Sequence, residues 1–97
     1  MTFAEFLNST AAEVAPAQLS VALQALWHDA REQWHEAHEL AQEAGDRDGA
    51  WVHAYLHRKE GDETNAAYWY QQAGRPVSRA DFRIEWETIV CALLAAS

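Results

Sequence analysis

His53, His57 and Glu60 stand at positions i, i+4 and i+7 of one stretch with helical character. At 100° per residue, the three side chains fall within about 60° of one another. Two imidazole nitrogens and a carboxylate oxygen on one face form a donor set for zinc or a similar divalent metal. Such an ion takes neutral His nitrogen and carboxylate oxygen at roughly 2.0–2.2 Å. His38 sits at the edge of the apolar face of the preceding helix, where it can supply a further ligand or hold one of the others from across a hairpin. The zinc-protease motif needs a Glu directly after the first His, and Ala54 stands there instead. The same spacing therefore suits a hydrogen-bonded structural cluster as well as a metal site.

Arg58, Asn65 and Tyr68 widen this polar edge. Arg is built for bidentate recognition of carboxylate or phosphate. With His53, His57, Glu60 and Asn65, Arg58 makes a candidate site for a small polar or anionic ligand, or else a partner for Glu60 or Asp62. Tyr68 falls beside Thr64 and Gln72 on the polar side of its helix, so it can line a groove with His53, His57 or Arg58. Asp62 reads as the cap of the helix that follows.

Other chemistries find little support. Glu32-x-x-His35 is a single Glu-x-x-His element, and a di-iron carboxylate bundle needs two. Cys91, beside Val90 and Leu94, reads as a small buried hydrophobe rather than an activated thiolate. The four glycines are isolated helix stops, so there is no phosphate-cradling loop. No catalytic residue is assigned.

The elements that must position these side chains are helices. Thr2 with Glu5 forms a capping box before Phe3, Phe6 and Leu7. Ser20 caps a segment in which Leu19, Leu23, Leu26 and Trp27 recur at helical spacing. Asp29 to Glu32 reads as a turn. A helix from about Gln33 to Ala44 stops at Gly45-Asp46, and Asp46 or Asp48 caps another running to about Glu60. Gly61-Asp62 separates it from a helix over about Thr64 to Ala73, which Gly74-Arg75-Pro76 ends. Ser78 and Asp81 form a capping box before the stripe Phe82, Trp86, Ile89, Val90 and Leu93. No segment alternates with period two between turn residues. The expectation is one all-α domain over residues 1–97 with about five helices: two hairpins, a C-terminal amphipathic helix, and a loosely packed start over residues 1–19. Trp27, Trp34, Leu40, Trp51, Leu56, Trp69, Phe82, Trp86 and Ile89 are the expected core.

Gly61-Asp62-x-x-x-Ala66-x-x-x-Tyr70-x-x-Ala73-Gly74 resembles the second half of a tetratricopeptide or Sel-like repeat. The resemblance implies two antiparallel helices that approach closely at a small residue. The longer string Trp51-x-His53-Ala54-x-Leu56-His57-Arg58-x-Glu60-Gly61-Asp62-x-x-Asn65-Ala66-x-Tyr68-Trp69-Tyr70-x-x-Ala73-Gly74 is similar to a group of short uncharacterised bacterial helical proteins. Trp34-x-x-Ala37-His38 fits the same pattern. That resemblance implies a helical fold and brings no activity with it.

Charge narrows the partners. Seven Lys and Arg against fifteen Asp and Glu give a net charge of −8. This disfavours nucleic acid and anionic membrane surfaces, both of which select basic proteins. One cysteine excludes an intrachain disulfide framework and fits a reducing compartment. Met1-Thr2-Phe3-Ala4-Glu5 lacks the basic start of a signal peptide. A cytoplasmic location is expected. The functional expectation is a small binding or interaction module, self-associating as a homodimer, with a His- and Tyr-lined edge on the 51–74 hairpin. The rival is a small metal-dependent or acid–base enzyme using His53, His57 and Glu60, with zinc or a similar ion as cofactor. A purely structural domain is the third reading.

Overall fold

Turn chemistry divides the chain, and the computed structural model, which describes residues 1–96, places six helices between the turns. They are α1 (Phe3–Ser9), α2 (Val21–Ala30), α3 (Trp34–Ala44), α4 (Arg47–Lys59), α5 (Glu63–Ala73) and α6 (Phe82–Ala96). The Thr2–Glu5 capping box is formed in both directions, and the Ser20 hydroxyl accepts from the Leu23 N–H. Asp46 caps α4 by accepting from the Gly49 N–H at 2.7 Å. Asp62 caps α5 through the Asn65 N–H. Gly45 and Gly74 close α3 and α5 in the left-handed conformation, where a side chain is costly.

Two boundaries differ from the sequence expectation. Helix α2 continues through Asp29 and Ala30, and the turn falls on Arg31 to Gln33, with Glu32 at φ 61°. The Ser78–Asp81 box does not form across the start of α6. Instead the Ser78 hydroxyl accepts from the Ala80 N–H at 3.2 Å, and α6 begins at Phe82.

Helix α4 is the axis of the molecule. Its residues from Gly49 to His57 are all buried. A helix apolar around most of its circumference needs neighbours on every side, and α2, α3, α5 and α6 all pack against it. The two expected hairpins, α2 with α3 and α4 with α5, are present and meet along α3 and α4. At that meeting the backbones approach closely because of Gly49, which lies inside α4 and is not the helix stop expected from the sequence. A Cβ there would stand 2.6 Å from the Ala44 Cβ and 2.9 Å from the Ala41 carbonyl oxygen.

Trp27, Trp51, Leu56, Trp86 and Ile89 are core as expected, while Trp34, Leu40 and Trp69 are partly buried against it. Phe82 is not core. It is 42% exposed, with the Arg58 guanidinium 4.6 Å over its ring. Cys91, expected to be buried, is exposed, because α6 turns Ile89, Val90 and Leu93 inward and leaves Cys91 on the outer side. The loose start holds for the exposed residues around Val14, but Phe6 is fully buried and packs on Trp86. The Trp27 indole N–H also donates to the Ser9 carbonyl at 3.0 Å, tying α1 to α2. Among the described residues no helix is long and apolar enough to cross a membrane.

Candidate metal centre

The close approach of α3 and α4 brings His38 to the His pair. His38 Nε2 lies 3.0 Å from His53 Nε2. One ring nitrogen from each of His38, His53 and His57 lies within 4.8 Å of the others. His57 stacks on His53, one turn away, at 4.8 Å between ring centroids and 21° between planes. His57 Nδ1 is 2.6 Å from Glu60 Oε1. A carboxylate accepts only, so Nδ1 carries a proton directed at Glu60.

Two tryptophans wall the cluster. Trp34 stacks on His38 at 4.9 Å and 10°, and Trp69 stacks on His53 at 4.0 Å and 14°. The Trp34 N–H donates to the Leu56 carbonyl at 3.1 Å, which fixes that wall to α4. His53 is 3% and His57 8% exposed, so the expected polar edge is in fact an interior cluster. Burial, reinforced by the neighbouring His38 and His57, lowers the His53 pKa to about 4. Burial, with the neighbouring His57 next, also lowers that of His38. Both shifts favour the neutral rings, and an ion would take the two facing Nε2 atoms by displacing the proton they share.

The donor set fits a transition metal. Two nitrogens at 2.0–2.1 Å from a tetrahedral ion stand about 3.3 Å apart, and the His38–His53 pair is close to that spacing at 3.0 Å. The rest of the triad is held within 4.8 Å, so an ion captured there would draw the rings inward. A metal-bound His that gives its other N–H to a carboxylate is the usual outer support of such centres, and Glu60 takes that place behind His57.

The remaining candidates lie elsewhere. Arg58 points to α6, donating to Glu85 Oε1 at 2.8 Å and to the Ala80 carbonyl, rather than to Glu60 or Asp62. Asn65 is exposed and donates its amide to Asp62 at 2.7 Å. Tyr68 is 52% exposed and meets Trp69 edge-on, so it reaches the histidines only through that indole.

Sequence reasoning passed over two buried carboxylates. Asp29 accepts from the Tyr55 hydroxyl at 3.0 Å and pairs with Lys59 at 2.9 Å. Glu85, 4% exposed, accepts from Arg58 and from the Tyr70 hydroxyl. Burial first, then the adjacent carboxylate, raises both tyrosine pKa values, so each hydroxyl stays a donor. A signal did exist for Glu85, which sits one turn before Ile89 in the apolar stripe of α6. An acid in that register has to find buried partners.

Compared with protein-family models, curated proteins and solved structures, the chain matches none.

Proposed function

We propose that this chain is a small metal-binding domain whose ligands are His38, His53 and His57, with zinc or a similar divalent transition metal as the ion. One observation carries the reading: three imidazoles from two helices converge within 4.8 Å, with a carboxylate behind one of them. The rival reading is a structural hydrogen-bond cluster, in which the two facing Nε2 atoms share one proton and His57 Nδ1 is held by Glu60. Neutral nitrogen ligands without thiolate suit zinc, copper or nickel rather than calcium or magnesium.

The test is metal analysis of protein purified without an affinity tag, followed by titration of the stripped protein with zinc. One equivalent per chain is expected, with a rise in melting temperature. His38→Ala, His53→Ala and His57→Ala should each abolish stoichiometric retention. Glu60→Gln should weaken affinity by about 10–100-fold while leaving the fold intact. Protein that takes up no ion and shows no thermal shift with zinc, copper or nickel would sink the reading.

A further inference from the structure

The three histidines leave a tetrahedral ion one ligand short. Among the described residues no other His, Cys, Asp or Glu comes within reach of all three rings, and three protein ligands with one open position is the pattern of centres that bind an exogenous molecule. Beside His53 a cleft of about 470 Å³ opens between the end of α3, the first half of α4 and α5. Small residues near the ligands line it: Ala41 lies three residues after His38, and Ala50 three before His53. Trp69, already stacked on His53, forms the opposite side.

Arg47 lies at the far end of this cleft. It is exposed and makes no hydrogen bond or ion pair with a described residue. The other two cations of α4 are engaged, Arg58 with Glu85 and Lys59 with Asp29. The Asp46 carboxylate also lines the cleft, but its Oδ1 is taken by the Gly49 N–H as the cap of α4. Gln42 and Gln72 at the rim offer neutral donors. Of the three rings His53 alone lines this cleft, so an ion held by the triad would meet it beside that ring. Together with the Arg47 guanidinium it would offer two points of attachment for negative charge. Arg47 and His53 are about 9 Å apart along the axis of α4. Arg47 Nη1 lies toward Gly74 at the end of α5, 3.9 Å from where a Cβ there would stand, so binding would turn the flexible guanidinium into the cleft.

We propose that the cleft admits a small organic dianion. One carboxylate oxygen displaces water from the ion held by His38, His53 and His57, and the second anionic group pairs with Arg47. No covalent bond of the ligand changes in this step; one metal–water bond is exchanged for one metal–carboxylate bond. The inference rests on the metal-binding reading above.

Cobalt-loaded protein tests it, because the visible absorption of Co²⁺ changes with its coordination sphere. Acetate, succinate and glutarate are titrated against the wild type and against Arg47→Gln and Gln72→Trp. The expectation is that at least one dicarboxylate binds about tenfold or more tighter than acetate. Arg47→Gln should bring that ratio close to one while leaving acetate binding unchanged. Gln72→Trp, which narrows the mouth from an exposed position on α5, should weaken the dicarboxylates but not azide. Dicarboxylates that bind no tighter than acetate, or a ratio untouched by Arg47→Gln, would overturn this proposal while leaving the metal centre standing. Failure to load cobalt stoichiometrically would instead remove the metal reading on which it rests.

Discussion

Two kinds of buried polar cluster flank α4, and they differ in how completely they are closed. Asp29 and Glu85 are each matched by one cation of α4 and one tyrosine hydroxyl, so every partner of the carboxylate comes from the chain itself. The His38–His53–His57 cluster has one proton between its two facing nitrogens and a carboxylate only at its far edge. The first kind fastens α2 and α6 to the central helix and has no capacity left. The second is held by one shared proton and one edge carboxylate, and its nitrogens are a donor set that an ion could also use. Buried polar groups are nearly always satisfied in native structures; the carboxylate clusters meet that need with charged partners from the chain, and the His cluster is where the proposed ion would sit.

That contrast can be broken at several points. Glu85→Ala should give the largest loss, about 3–5 kcal/mol in urea unfolding, because it strands the Arg58 charge and the Tyr70 hydroxyl together. A loss below about 1 kcal/mol would show that the closed cluster contributes little. Gly49→Ala should cost about 1–3 kcal/mol by pressing a methyl against the Ala41 carbonyl and Ala44. It should also weaken metal binding, since it pushes α3 and His38 away from α4. An unchanged metal affinity at reduced stability would separate helix packing from the site.

Acid should act on the open cluster. The folded His53 pKa of about 4 lies below the 6.5 of an unperturbed histidine. Between those values the unfolded chain binds more protons than the folded one, so stability falls as pH drops from about 6.5 towards 4. The metal-free protein should lose about 1–3 kcal/mol over that window. His53→Phe should flatten the profile, and a profile as steep as the wild type would place the sensitivity elsewhere. The smallest effect is expected from Glu32→Gly, outside both clusters. Relieving the positive φ of Glu32 should stabilise by about 0.5–1 kcal/mol, read as a higher melting temperature with metal affinity unchanged.

Local chemistry made most of the fold legible. Gly45, Gly61 and Gly74, with the caps at Thr2, Ser20, Asp46 and Asp62, announce their turns in neighbouring residues alone. The common face of His53, His57 and Glu60 follows from helix geometry, and His38 was placed beside them by its register on α3. Which element each face would meet was not legible. Arg58 lies next to Glu60 and Asp62 in sequence but turns to Glu85, 27 residues away, because α6 covers that side of α4. Phe82 and Cys91 were misplaced for a related reason. The apolar stripe of α6 is wider than the surface it covers, and periodicity alone does not say which edge is left outside. The stacking of Trp34 and Trp69 on the imidazoles depends on three helices at once, beyond any single-segment pattern.

The two stacked indoles give the cluster an optical character of its own. Trp34 and Trp69 are two of the five tryptophans in the chain, and each lies face to face with an imidazole of the triad. An open-shell ion such as Cu²⁺ at that position would drain their excited states, whereas closed-shell Zn²⁺ would leave them emitting. The ultraviolet emission of the chain would thus report, with no label attached, which ion had entered the proposed site.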